Sequence, residues 1–142
     1  MPAKEEPHEG TWLQWPHNFG WDDKHVQRFE ETWIQLAEAL HTGERVYIVT
    51  YDATEQERIR SLLTTRGLNL TQIDFYAWPT DDVWIRDNGT IFVFDQDEQL
   101  RITNWKFNAW DNKADSWFDS DIPIHVSAAI GVPVTTVPMV SE

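Results

Sequence analysis

Between Trp78 and Gly89 the sequence gathers three carboxylates (Asp81, Asp82, Asp87), one arginine (Arg86) and two tryptophans (Trp78, Trp84). A carboxylate can grip a planar guanidinium through two parallel N–H···O bonds. A tryptophan can stack its negative π-face on the same cation. Asp87 and Trp84 together therefore have the chemistry of a guanidinium seat. The same residues also read more simply. Asp87-Asn88-Gly89 is a strong turn signal, and Arg86 could do no more than pair with Asp81 or Asp82. On residue types and spacing both readings stand.

Two other segments carry reactive or aromatic side chains. Pro7–Asn18 holds His8, Glu9 and His17 around Trp12 and Trp15. The spacing fits no metal-ligand motif, so the expectation is neither metal nor cofactor, with the tryptophans in a core or a pocket wall. Trp105–Lys113 interleaves aromatics with Lys106, Asn108 and Lys113. Such a pattern can stack single-stranded nucleic acid in a basic protein. Here a packed strand leading to a pocket-edge loop is the better reading. His25, His41 and His125 look like helix-surface or loop residues.

The balance of charge supports that choice. The 142 residues carry a formal net charge of -13 with a pI near 4.6. This argues against nucleic acid and anionic membrane surfaces; it would attract a cationic small molecule, and it equally reads as the charge that keeps a protein in solution. There is no cysteine, hence no disulfide framework and no thiol nucleophile within these residues. The opening MPAKEEPHEG lacks the apolar core of a signal peptide, and no apolar run reaches the roughly 18–20 residues of a membrane span. The expectation is a soluble, cytoplasmic protein. The chain has nine tryptophans, an outlying number of residues that fill cores or line pockets.

The elements that must hold these side chains are legible in part. Val26, Phe29, Trp33, Leu36, Ala37 and Leu40 recur at spacings of three and four. They predict an amphipathic helix over Asp22–His41, capped by Asp22 or Asp23 and ending before Gly43. Arg45–Thr50 and Gln72–Ala77 read as strands. Between them lies a helix with Ile59, Leu62 and Leu63, opened by a Thr54/Glu57 capping box and closed by Gly67. Thr90–Phe94 and Leu100–Phe107 predict a hairpin around Asp95–Gln99. Asn108–Asp121 reads as a loop, Ile124–Ile130 as a helix stopped by Gly131, and Val134–Val137 as a strand. The class is mixed α/β (α+β), and the apolar, strand-like finish up to Glu142 leads to the expectation of a truncated chain.

Three motifs, PxxxEPHEGTWLQWPHN, TDDVWIRDNGTIFV and WKFNAWDNK, stand in the order and separation of one family. Together the chain resembles the agmatine deiminase and bacterial-type peptidylarginine deiminase family over essentially its whole length. It departs in having Thr90 where the family often has Pro after the glycine, and Asp111-Asn112 where it often has Gly-Gly or Gly-Asn. The resemblance implies a pseudo-fivefold propeller of ββαβ units, of which residues 1–142 would be the N-terminal portion of one catalytic domain, about two units and part of a third. It implies a Cys thiolate that attacks the guanidinium carbon and a His that assists hydrolysis of the resulting thiouronium, both beyond Glu142. It also implies Asp87 as the guanidinium-binding carboxylate and Trp84 as a substrate contact. Glu142, the start of a Glu-Gly-Gly motif, would be the carboxylate near that His.

The expected reaction is agmatine to N-carbamoylputrescine and ammonia, with protein arginine to citrulline as the alternative. The 142 residues alone are expected to be inactive and to associate through open sheet edges. Two readings from other classes remain. A Trp-rich carbohydrate-binding module needs exposed, coplanar tryptophans, whereas a deiminase is expected to bury Trp84 beside Asp87. A purely structural interaction domain would pair Asp87 with Arg86 or a lysine.

Overall fold

The structure is a computed structural model and describes residues 9–17, 23–112 and 117–141. It divides into two compact units, one within Pro7–Val83 and the other within Trp84–Glu142.

In the first unit the order is β1 (Gly10–Gln14), α1 (Asp23–Leu40), β2 (Arg45–Thr50), α2 (Ala53–Thr65) and β3 (Ile73–Ala77). The strands form one sheet in the order β1-β2-β3, and both pairings are parallel. Parallel neighbours need a crossover between them, and α1 and α2 supply the two. The centre strand shows the consequence, since Val46 through Thr50 are all buried. One face of the sheet, with Leu13, Val46, Ile48 and Ile73, joins Trp15 and packs under Ile34 and Ala37 of α1 and Ile59 and Leu63 of α2. Each Val, Leu or Ile side chain among these stabilises the fold by about 1.5–3 kcal/mol when fully buried.

The strands at Arg45–Thr50 and near Gln72–Ala77 are found as expected. β1 is an addition that the sequence did not reveal. The stripe of α1 is displaced: Ile34 is 3% and Ala37 0% exposed, while Phe29 and Leu36 are 38% and 40% exposed. The capping box at Thr54/Glu57 is not what opens α2. Asp52 is the N-cap, and its carboxylate accepts from the Glu55 N–H at 2.8 Å. An Asp two residues earlier serves equally well as acceptor and begins the helix sooner.

The second unit holds α3 (Ile85–Asn88), a single turn, then β4 (Ile91–Phe94), β5 (Leu100–Phe107), α4 (Ile122–Ile130) and β6 (Val134–Ser141). β4 and β5 are the expected antiparallel hairpin. Asp95 ties its turn, accepting from the Asp97 and Gln99 N–H groups at 2.9 Å each and from Arg101 Nε at 2.8 Å. β6 returns parallel to β5 after α4, giving the order β4-β5-β6. Gly131 stops α4 in the left-handed region at φ 71°, where glycine carries no steric penalty. β6 runs beyond the expected Val137 because a bulge absorbs Pro138 and Met139: Trp105 pairs Val137 but Lys106 pairs Val140. Proline, lacking a ladder donor, is accommodated at such irregularities.

Candidate active site

Trp84 and Asp87 are brought to one short turn. The Trp84 carbonyl accepts from the Asp87 N–H at 2.8 Å and the Asn88 N–H at 3.1 Å, and the Gly89 N–H reaches the Ile85 carbonyl at 2.9 Å. A Cβ on Gly89 would stand 2.1 Å from the Ile85 oxygen, so only glycine closes this turn without displacing backbone. Trp84 stands at the N-cap of this turn (φ -85°, ψ 62°) and Asp87 within it, with Arg86 rotated about 100° from Asp87.

Among the described residues neither Asp87 nor Arg86 takes part in an ion pair, whereas Arg45–Asp74, Arg58–Glu30 and Arg101–Asp95 all do. Asp87 is half-buried. Trp84 is 45% exposed, which corrects the expectation that it is buried beside Asp87. An open tryptophan keeps ring surface free for a ligand. Asn88 is 3% exposed, and neither its amide nitrogen nor its oxygen has a hydrogen-bond partner. An unsatisfied buried amide of this kind costs about 1–3 kcal/mol. Sequence reasoning passed over it as a turn residue.

Trp110 lies edge-on to Trp84, with ring centroids 6.4 Å apart and planes at 82°, and edge-on to Phe107 at 5.7 Å and 85°. Its backbone is unusual. Ala109, Trp110, Asp111 and Asn112 all have left-handed φ values, 48°, 53°, 69° and 60°. Each such non-glycine residue costs roughly 1–2 kcal/mol. Asp and Asn tolerate the region better than Ala and Trp. The turn is held by Asn108, whose carbonyl accepts from the Asn112 N–H at 2.7 Å and whose side-chain oxygen accepts from the Asp111 N–H at 3.2 Å. Within the expected loop Asn108–Asp121, these residues form an ordered left-handed turn instead. Its one sequence signal is Asp111-Asn112 standing where glycine is common in the resembling family.

The loop ahead of Trp84 is fastened within the first unit. Gln14, fully buried, donates from Nε2 to the Asp82 carbonyl at 3.0 Å. His17, also buried, shares a 3.1 Å hydrogen bond with Thr80 Oγ1 and sits 4.7 Å from the Tyr51 ring. Burial pushes His17 below the ordinary histidine value, against the raising effects of Thr80, Glu55, Asp81 and Asp52. His17 is thus a structural clasp within the unit. His41 Nδ1 lies 3.0 and 2.9 Å from the Ala37 and Glu38 carbonyls at the end of α1. His8, Glu142 and Lys113 lie outside the described residues.

A second aromatic group occupies the other face of the parallel sheet. Trp12 stacks on Tyr47 at 4.5 Å, on Tyr76 at 5.2 Å and on Trp78 at 6.0 Å, with interplanar angles of 19–29°. Tyr47 donates to Glu9 at 3.2 Å, and burial with that neighbouring charge pushes its phenol up to about 12. These rings lie on one another, and Trp84 and Trp110 are perpendicular. Neither group is the exposed coplanar platform a sugar needs. A depression of about 410 Å³ lies at the β5–β6 bulge, lined by Trp105, Lys106, Ser120 and Val137–Val140. Its lining includes neither Trp84 nor Asp87.

The fold is mixed α/β, and it carries Trp84 and Asp87 on one short turn. The model of the family of Porphyromonas-type peptidyl-arginine deiminases matches residues 1–142, and the chain belongs to that family. A Marinomonas sp. (strain MWYL1) protein named "Putative agmatine deiminase" is 32% identical over 123 residues, 84% of this chain and 31% of its own length. The agmatine deiminase of Enterococcus faecalis superposes with TM-score 0.82 at 24% identity, over 100% of this chain and 39% of its own. A Campylobacter jejuni agmatine deiminase C315S variant with substrate bound gives TM-score 0.80 at 19% identity, over 94% and 38%. These likenesses show the fold, and the chain spans about a third of the length of such relatives.

Proposed function

We propose that these residues form part of a guanidine hydrolase that converts agmatine and water to N-carbamoylputrescine and ammonia. The observation that carries this reading is Asp87, half-buried, outside any described ion pair and on the same short turn as an open Trp84. A resonance-stabilised guanidinium resists attack. A carboxylate that holds its nitrogens orients the carbon for a nucleophile and balances the charge. Trp84 covers the cation with its ring. The nucleophile is a cysteine thiolate supplied from outside Met1–Glu142, which splits the displacement of ammonia and the hydrolysis into two steps. Glu142 is the carboxylate assigned to serve the histidine that assists the second. In the complete protein the hairpin–helix–strand order of the second unit would recur around a pseudo-fivefold axis. A peptidyl-arginine substrate remains the second reading, favoured by the family that the chain matches.

The test is ammonia release by the full-length gene product supplied with agmatine, arginine or an arginine peptide, beside Asp87→Ala and Asp87→Asn. Turnover of agmatine that falls at least 100-fold in both variants, as loss of a preorganised charge contact does, supports the reading. A folded full-length protein that releases ammonia from none of the three defeats it.

A further inference from the structure

Four successive left-handed residues, none of them glycine, make an uncommon segment. Strain of this kind persists only where surrounding contacts over-determine it, and it collects at functional sites. At Ala109–Asn112 the contacts are identifiable: Ala109 is 1% exposed, Phe107 is 4% exposed and Asn108 supplies both anchoring acceptors. The turn carries Trp110, whose ring stands perpendicular to that of Trp84 at 6.4 Å. Two rings at a right angle form a corner with an edge on one side and a face on the other. A slender methylene chain with a positive end suits such a corner, since ring faces attract cations and rings favour contact with CH₂ groups. The residue after Trp110 is Asp111, which is exposed and takes part in no ion pair among the described residues. Its charge disfavours a ligand bearing a carboxylate.

We propose that Trp110 is a specificity-determining residue of the site proposed above. With Trp84 it forms an aromatic corner that receives an unbranched alkyl guanidine, while Asp111 turns away guanidines that carry a carboxylate. The inference rests on the deiminase reading and adds what decides between its substrates. The unfavourable backbone is kept because it delivers Trp110 to Trp84.

The experiment uses the full-length protein and measures kcat and KM for agmatine, arginine and an N-acetylarginine amide. The variants are Trp110→Ala, Trp110→Phe and Asp111→Gly, each with its melting temperature. Trp110→Ala should raise KM for agmatine about tenfold, the scale of a lost aromatic–cation contact, with kcat nearly unchanged. Trp110→Phe should recover most of that loss. Asp111→Gly should melt no lower than the wild type, because glycine suits φ 69°. It should still shrink the preference for agmatine over arginine by about fivefold, the scale of a solvent-exposed charge contact. Wild-type KM and wild-type selectivity in both Trp110→Ala and Asp111→Gly overturn the proposal, as does a fall confined to kcat that is equal for every substrate. Should Trp110→Ala not fold, the selectivity of Asp111→Gly alone decides. A wild-type enzyme inactive on all three guanidines instead overturns the deiminase reading, and the inference with it.

Discussion

Gly89 and Ala109 occupy opposite situations at the scale of single residues. Gly89 has an ordinary backbone conformation but no room for a side chain. Ala109 has a side chain but an unfavourable φ of 48°. Gly89→Ala forces a methyl against the Ile85 carbonyl, opens the turn that joins Trp84 to Asp87, and should lower stability by roughly 1–3 kcal/mol, the usual cost of overpacking. Ala109→Gly relieves left-handed strain of about 1–2 kcal/mol and forfeits about 0.5–1 kcal/mol of chain entropy, so it should be neutral or slightly stabilising. Urea unfolding of the two variants beside the wild type checks both signs, and two changes of the same sign would contradict the backbone geometry. Asp87 and Trp84 stand out in the sequence as candidates because their residue types suit a guanidinium and their motif resembles a family. Asn88 and Trp110 do not, because the burial of one and the neighbouring ring of the other are encoded by no local spacing.

The elements differ in how openly their sequence declares them. Arg45–Thr50 and the hairpin around Asp95 follow from β-branched runs and turn residues. β1 does not, because Gly-Thr-Trp-Leu-Gln offers one short alternation whose meaning depends on a strand 35 residues later, Gly10 pairing with Arg45. Parallel pairing is likewise invisible in β2 alone. Pro138 would ordinarily end a strand, yet the bulge carries β6 past it. The clasp between His17 and Thr80 ties the residues after β1 to the loop after β3, and it titrates. A buried histidine held below its ordinary value of 6.5 binds fewer protons folded than unfolded. Its stabilising contribution is complete above 6.5 and is lost as pH falls through the lower folded value. Glu55, Asp81 and Asp52 oppose the shift without cancelling it. The melting temperature of the wild type should therefore fall more steeply between pH 7 and pH 5 than that of His17→Gln. Parallel pH profiles would remove His17 as a titrating clasp.

For the whole molecule, composition sets the charge and is silent about architecture. A net charge of -13 suits a cationic ligand. The absence of cysteine from these 142 residues means that they cannot supply a thiolate. Among the described residues both sheets end in strands paired on one side only, β1 and β3 in one, β4 and β6 in the other. Such edges template pairing with other chains. Residues 1–142 expressed alone are expected to release no ammonia from agmatine and to sediment as dimers or larger species. Full activity from this piece would place the nucleophile somewhere other than a cysteine, and a strictly monomeric one would mean that the edges are protected. The pseudo-fivefold propeller proposed above cannot be read from strand rhythm, because a repeat defined by backbone shape leaves little trace in residue identity.

The perpendicular pair and the stacked rings also give the molecule two kinds of optical signature. Trp12 and Trp78 lie nearly parallel in one unit, at 19° and 6.0 Å, and Trp84 and Trp110 stand at 82° in the other. Indole transitions held that close couple, and the sign and size of the coupling depend on the angle between them. Near-ultraviolet circular dichroism therefore carries a separate marker for each unit, and the stepwise assembly of this chain can be followed without attaching any dye.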